Sequence, residues 1–484
     1  MKKLLLSLLV FLLLFIAFLV IRTVTFRSRQ LQVAALPKVP VSDSAKFHLA
    51  EAIRIRTISP EDPAAFDSTA FYRFREFLRK TYPLSEQRLQ PKTINKFSLL
   101  YKWEGSDAGL KPVILMGHLD VVPVAEESLK DWKAAPFGGE IKDGYIWGRG
   151  AIDDKMSVIG ILEATEKLLE QGFQPKRTLY LAFGHDEEIG GRNGAQAIVK
   201  HLQTENVKAE FVLDEGYAIT QKLVPGLDTD VALIGIAEKG FASLELTATV
   251  EGGHSSMPKN ETAIDVISQA LVTLRKHPFK PTITPPVQEF IKTLGPEMPA
   301  FQKFAFANAW LLEPLILKTY QKTPSGNALV STTMAPTIFR SGLKENVIPA
   351  EATAVINFRL LPGTRINSIV SEVKRVIKDD RIRIKLKPFS SEPSPVSGIE
   401  TAGYNLLTQT IKQTFPNTLT SPSLVLAATD SRFYYALSPN VYRFLPYKIN
   451  KENINAFHGV NERIAVEEFE DAVRFYERLV RNVD

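Results

Sequence analysis

In Gly117-His118-Leu119-Asp120 a histidine and an aspartate stand two residues apart, a spacing that puts both on one face of extended backbone. Such a histidine can bind a metal while Asp120 takes its second ring proton and fixes the tautomer. Gly148-Arg149-Gly150-Ala151-Ile152-Asp153-Asp154-Lys155 offers an aspartate that could bridge two cations. Gly184-His185-Asp186-Glu187-Glu188 crowds four ionisable side chains behind an apolar run, an arrangement that is destabilising unless cations or solvent separate the charges. Asp214-Glu215-Gly216 and His458 complete the set. Each has an ordinary reading of its own: an ion pair at 118 and 120, a helix cap at 153 or 154, a solvated loop at 185–188, a turn acid at 214, and a packed or surface histidine at 458. Taken together, His118, Asp153, Glu188, Asp214 and His458 as ligands, with Glu187 as an unligated carboxylate, are what a two-zinc hydrolase needs.

The segments around these residues alternate between strand and helix. Apolar strand runs at 113–116, 178–183 and 211–213 each end in acids or a histidine, and helical patterns cover 45–56, 70–80, 157–171 and 195–203. This alternation predicts an α/β domain with a largely parallel sheet, whose ligands gather beyond the carboxyl ends of the strands. From residue 239 the pattern changes. Alternating strands at 243–250, 328–339, 352–360 and 381–386, with helices at 262–275 and 366–377, predict a small α+β domain over 239–391. Residues 392–484 return to the first style, so the second domain is expected to interrupt a body made of 45–238 and 392–484. The apolar stretch 304–317 suits a lipidic acyl group, or else forms a core or dimer helix.

Charge and composition narrow the function. The 484 residues hold 59 Lys+Arg against 53 Asp+Glu, but Lys2, Lys3, Arg22, Arg27, Arg29 and Lys38 account for all of the +6, leaving the remaining 444 residues balanced. A neutral body lacks the footprint of a nucleic-acid binder, and no nucleic-acid partner is expected. With no cysteine, disulfide frameworks, thiolate metal sites and thiol nucleophiles are excluded, so any metal must be held by His, Asp or Glu. Residues 4–21 form an apolar run broken only by Ser7, long enough to span a bilayer and longer than the usual core of a cleaved signal. The expectation is an uncleaved single-pass anchor over 1–22 followed by a tether over 23–44; the alternative is a protein secreted after signal cleavage.

In order and spacing, the motifs resemble the M20 metallopeptidases: GHLDVVP at 117–123, GRGAIDDK at 148–155, HDEEIGG at 185–191, GGHSSMP at 252–258 and FHGVNE at 457–462. EKG at 238–240, NVIPA at 346–350, NFRLLPG at 357–363 and TDSRF at 429–433 are similar to the branch of carboxypeptidase S and the N-fatty-acyl-amino-acid synthase/hydrolases. The resemblance implies a two-domain fold, a zinc-binding catalytic domain with an inserted lid that also dimerises. It implies one zinc held by His118 and Asp214, another by Glu188 and His458, and Asp153 bridging them. Glu187 matches the general base that activates a zinc-bound water, and Asp120 the partner of His118. His254 matches a lid histidine that stabilises the oxyanion, often across a dimer interface; Arg359 matches the lid arginine that binds the substrate carboxylate, with Asn346 a further polar candidate beside it. The implied reaction is cleavage of an N-acyl amino acid or a short peptide with a free carboxylate, or its reversal towards synthesis, on the exported or lumenal side of a membrane. A metal-bound but inactive binding protein is the remote alternative.

Overall fold

Residues 1–60 and 62–483 are described by a computed structural model of the chain. The strands Val113–His118, Leu179–Gly184 and Phe211–Asp214 run parallel, with Val113–His118 in the middle, and every residue in them is buried. Burial on both faces explains why they are continuous apolar runs instead of alternating ones. They sit inside a ten-stranded mixed sheet. Ser98–Trp103 extends it antiparallel on one side; on the other, Val441–Arg443 pairs parallel to Phe211–Asp214, followed by Val231–Glu238 and Leu419–Val425.

The helix Lys155–Glu170 lies across one face, and only Lys167 and Glu170 in it escape burial. It is so enclosed because Val466–Asn482, Ala45–Arg54 and Pro83–Leu89 pack over it. The helix Ala195–Thr204 covers the opposite face with Ile198, Val199 and Leu202. The expected α/β body is therefore present, with helix and strand boundaries shifted by a few residues.

The lid is a four-stranded antiparallel sheet in the order Thr333–Ser341, Glu351–Leu360, Gly240–Thr249, Ile382–Leu386. Ala263–Lys276 and Ile366–Ile377 supply the apolar side chains that fill one face of it. The first of these helices starts in a capping box between Thr262 and Asp265, which satisfies two amide donors that a bare helix end would leave open. Chain passes from body to lid between Val231–Glu238 and Gly240–Thr249, and returns where Ser394 Oγ accepts from the Glu238 amide at 2.9 Å.

Two expectations for the insertion need correcting. The strand expected over 328–339 starts late: Thr323 caps a short helix, Pro324–Val330, with proline at its first turn, and the strand runs only over Thr333–Ser341. Nor is the whole of 239–391 one α+β unit. The helices Pro285–Leu294, Ala300–Ala307 and Ala309–Tyr320 belong to apolar clusters of their own, in which Leu294 and Met298 meet Val231 and Leu233 of the body. Their burial comes from one another and, around Leu294 and Met298, from the body, and not from the lid sheet.

Lys2–Val24 is a single helix of 23 residues, long and apolar enough to cross a membrane, with Leu19 its only buried residue. The segment behind it lies along the body. The Gln30 amide bonds to both the N–H and the carbonyl of Thr420, and Arg474 donates to the Val39 carbonyl at 2.8 Å.

Candidate active site

The three buried strands deliver their chemistry at one end, as parallel sheets do. His118 is the last residue of its strand, Glu187 and Glu188 sit in a tight turn just past Gly184, and Asp214 ends its strand. Asp153 comes from the loop before Lys155–Glu170, and His458 from the loop ahead of the last helix.

Within this group the His118 Nε2 lies 2.9 Å from Asp153 Oδ1, and the His458 Nε2 lies 3.1 Å from Asp153 Oδ2 and 3.3 Å from Glu188 Oε2. Asp153 thus faces both imidazoles, one through each oxygen. His118 Nδ1 is 3.0 Å from the Asp120 carbonyl and 3.3 Å from its carboxylate. That same carboxylate accepts the amides of Glu187 and Glu188, each at 3.2 Å. Asp120, fully buried, therefore fixes a histidine and the glutamate turn together.

One expected ligand is not where the sequence put it. The Asp214 carboxylate accepts the Ser431 amide at 2.9 Å, while Glu215 brings a carboxylate oxygen within 4.8 Å of the ligand atoms of His118 and Asp153. Asp214 is the last residue of its strand and Glu215 lies in the bend that follows, so the two adjacent acids meet different neighbours. The structure turns Glu215 towards His118 and Asp153 and gives Asp214 to the Thr429–Ser431 turn. The cap reading at 153–154 is also resolved: Asp154 holds the cap position of the following helix, yet makes no capping bond, and accepts the His118 amide at 3.2 Å instead.

Two triads result, His118–Asp153–Glu215 and Asp153–Glu188–His458, sharing Asp153. The donor set is imidazole nitrogen and carboxylate oxygen, suited to zinc and similar divalent ions. Glu188 Oε1 is buried with no hydrogen-bond partner, an atom that a cation would satisfy. The residues fit a pair of divalent cations.

The electrostatics reflect that crowding. Burial drives the carboxyls of Glu187 and Glu215 well above their ordinary range, and raises Glu188. For Asp153 burial acts the same way, but the bonds to His118 and His458 outweigh it and hold the carboxyl far below its usual range. Bonds to Asp153 and Glu188 push His458 up to about 10. Glu187, Glu188, Glu215, Asp153 and His458 line one cavity of about 260 Å³, whose other wall carries Tyr217, Leu445, Ile449 and Phe457.

Reading the sequence for chemistry missed the residues that hold this end rigid. Glu462, fully buried, pairs with Arg149 at 2.5 Å and accepts the amides of Gly150, Ile152 and Asp153 at 3.0, 2.9 and 3.2 Å. It clamps the loop that presents Asp153. The signal was available, since both residues stand inside the motifs at 148–155 and 457–462. Gly191 is required sterically: at φ +63° it packs so close to Asp430 that a Cβ would fall 1.7 Å from Oδ1.

The lid residues stand apart. His254 is exposed on the two-residue strand Gly253–His254, where its Nδ1 accepts the Ser256 amide at 3.2 Å, leaving Nε2 to carry the proton. Asn346 is also exposed, and its carbonyl accepts the Ser255 amide at 3.2 Å. Arg359 lies over the Phe241 ring at 4.7 Å, half-buried, with its pKa lowered by burial. None of these three lines the cavity.

Known proteins agree with this architecture. The profile of peptidase family M20/M25/M40 matches residues 114–482. The chain is 42% identical over 477 residues to the probable carboxypeptidase S-like 2 of Dictyostelium discoideum, covering 96% of this chain and 91% of that protein. It is 41% identical over 438 residues to the N-fatty-acyl-amino acid synthase/hydrolase PM20D1 of Xenopus tropicalis, covering 90% and 84%. Among solved structures, the M20 metallo-carboxypeptidase Sso-CP2 of Sulfolobus solfataricus shares the fold with a TM-score of 0.68 at 18% identity, over 91% of this chain and 99% of that one. The chain belongs to the M20/M25/M40 peptidase family and is a metallohydrolase of the carboxypeptidase S and PM20D1 branch.

Proposed function

We propose that this protein cleaves the amide bond of N-acyl amino acids carrying a free carboxylate, and can run the reverse condensation. The observation that carries the reading is a half-buried carboxyl, Glu187, lining one cavity with members of two ligand triads that share Asp153. His118 and Glu215 would hold one zinc ion and Glu188 and His458 the other, with Asp153 between them. Glu215 here takes the role expected of Asp214. When bound, such a metal pair polarises a carbonyl and lowers the pKa of water to about 7.

The chain's own part is proton handling and orientation. Glu187 takes a proton from the attacking water and returns it to the nitrogen of the leaving amino acid, so a single carboxyl serves both halves of the reaction. Its burial, which favours the protonated form, suits the second step. His254 donates from Nε2 to the developing oxyanion, and the Arg359 guanidinium grips the free carboxylate, bidentate by preference. Both come from the lid and neither lines the cavity, so the reading requires approach of the lid, this chain's or that of a second copy. A homodimer through the lid is supported by its edge strand Thr333–Ser341, which leaves Ile338 and Phe339 exposed.

The apolar wall of Tyr217, Leu445, Ile449 and Phe457 favours a fatty acyl group over a peptide. A carboxypeptidase S-like peptidase shares the same chemistry and differs only in what fills that wall. We further read Lys2–Val24 as a membrane anchor with the body on the exported or lumenal side, supported by its 23 apolar-rich residues and near-complete exposure. Release of phenylalanine from N-oleoyl-, N-acetyl- and glycyl-phenylalanine by the zinc-loaded full chain tests the substrate. Preference for the oleoyl substrate is expected; preference for the glycyl one would make this a peptidase.

A further inference from the structure

The helix Ala309–Tyr320 buries one side and leaves the other uncovered. Leu312, Ile316 and Leu317 pack with Val287 and Ile291 of the neighbouring helix. Trp310, Leu311 and Leu315 stay 56%, 40% and 47% exposed, and Phe301 of the preceding helix is 74% exposed. Trp310, Leu311 and Leu315, with Lys318 beyond them, recur at the spacing of one helical face.

The position of that face is set by the N-terminal helix. The Asn308 amide, fully buried, donates to the Leu19 carbonyl at 3.3 Å and to Thr23 Oγ1 at 3.2 Å. Arg22 donates to the Ala307 carbonyl at 3.1 Å. These bonds fix the Ala307–Asn308 corner against the last turns of Lys2–Val24, where the apolar run of residues 4–21 gives way to Arg22 and Thr23. Leu19 and Thr23 are about 6 Å apart along the helix axis, so the corner is fixed at the level where that run ends. Trp310 follows two residues later. A cavity of about 620 Å³ lies between the two parts at the same level, lined by Phe26, Ile291 and Phe306 together with Arg22, Lys292 and Glu313.

We propose that the helices Ala300–Ala307 and Ala309–Tyr320 dock on the bilayer that Lys2–Val24 enters, with Phe301, Trp310, Leu311 and Leu315 inserted among the headgroups and upper acyl chains. The inference rests on reading Lys2–Val24 as a membrane anchor. Tryptophan collects at this depth because its ring is amphipathic. A helix with Trp and Leu on one face and Lys beside it lies in the interface about 5–10 Å deep. The occupant is lipid and not a soluble partner, because the hydrogen bonds at Asn308 and Arg22 hold this face at the membrane whenever the anchor is inserted. Docking there would orient the body and keep the protein at the surface where acylated substrates dissolve.

The chain has no cysteine, so single-cysteine reporters are unique. The full chain, carrying Leu9→Cys, Leu315→Cys, Phe301→Cys or Lys200→Cys with a polarity-sensitive fluorophore, is reconstituted in phosphatidylcholine vesicles. Lys200 is an exposed position on the body helix Ala195–Thr204. Nitroxide lipids labelled deep and shallow in the acyl chain report lipid contact, and iodide reports water. The expected result is loss of most emission at position 9 with the deep nitroxide and at positions 315 and 301 with the shallow one, while position 200 responds to iodide alone. Lipid quenching at 9 with iodide quenching at 315 and 301 would overturn the docking and leave the anchor standing. A blue shift at 315 without lipid quenching would also overturn it, in favour of a protein contact. Iodide quenching at 9 would remove the anchor reading and the docking with it.

Discussion

His118 is buried with Asp120 and Asp153 against its two ring nitrogens, whereas His254 stands exposed on the lid with its Nδ1 against Ser256. The contrast holds for their neighbours. The loop bearing Asp153 is fixed by three amide bonds to Glu462, while Arg359 has an aromatic ring beneath it and no carboxylate partner among the described residues. On the proposed reading, the body presents fixed groups that could hold cations, and the lid presents groups that meet a substrate arriving later. Each construction fits its task. Cations require several ligands fixed in advance, because their mutual repulsion must be met by the fold. A group that grips substrate must remain free until the substrate comes.

The comparison breaks most decisively at the paired acids 214 and 215. Glu215→Ala should remove one cation and most activity, whereas Asp214→Asn should keep two cations and lose no more than about tenfold in rate. Elemental analysis beside an activity assay reads both, and the reverse pattern would return Asp214 to the metal. On the lid, His254→Ala should leave the metal content unchanged and lower kcat about 10²–10³-fold, the usual loss for an oxyanion donor. Loss of metal in that variant would dissolve the division between body and lid. Arg359→Ala should act mainly on KM, raising it about tenfold or more for substrates with a free carboxylate and little for the amidated ones.

The smallest effect concerns protons. In the metal-free protein His458 is pushed up to about 10 by its bonds to Asp153 and Glu188, and burial raises the Glu215 carboxyl well above its ordinary range. Both must shed protons to bind a cation, so metal affinity should rise with pH across the neutral range and fall as the medium is acidified. Calorimetric titration in two buffers of different ionisation enthalpy measures the protons released; none released would contradict this picture.

The sequence announced the strands of the site because each is buried on both faces and runs into ionisable residues, Val113–His118 ending on His118 and Leu179–Gly184 leading straight into His185. The turn of Glu215 towards the cavity was not legible. It depends on the Ser431 amide, 217 residues away, which claims the Asp214 carboxylate. Both residues of the Glu462 clamp stand inside the motifs at 148–155 and 457–462, but their pairing across 313 residues could be seen only in the fold. Periodicity also could not say which sheet the apolar helices after residue 284 would cover. Their partners, Val231 and Leu233, lie in a strand assigned to the other domain.

On the proposed reading, Glu187 moves the protons at a metal centre it does not help to hold. Zinc is titrated into metal-free wild type and Glu187→Gln while amino-acid release and bound metal are followed together. The account predicts that both proteins bind two zinc ions per chain, that wild-type turnover rises with occupancy, and that the variant loses about 10²–10⁴-fold in kcat at full occupancy. Near-normal turnover in the zinc-loaded variant would contradict it.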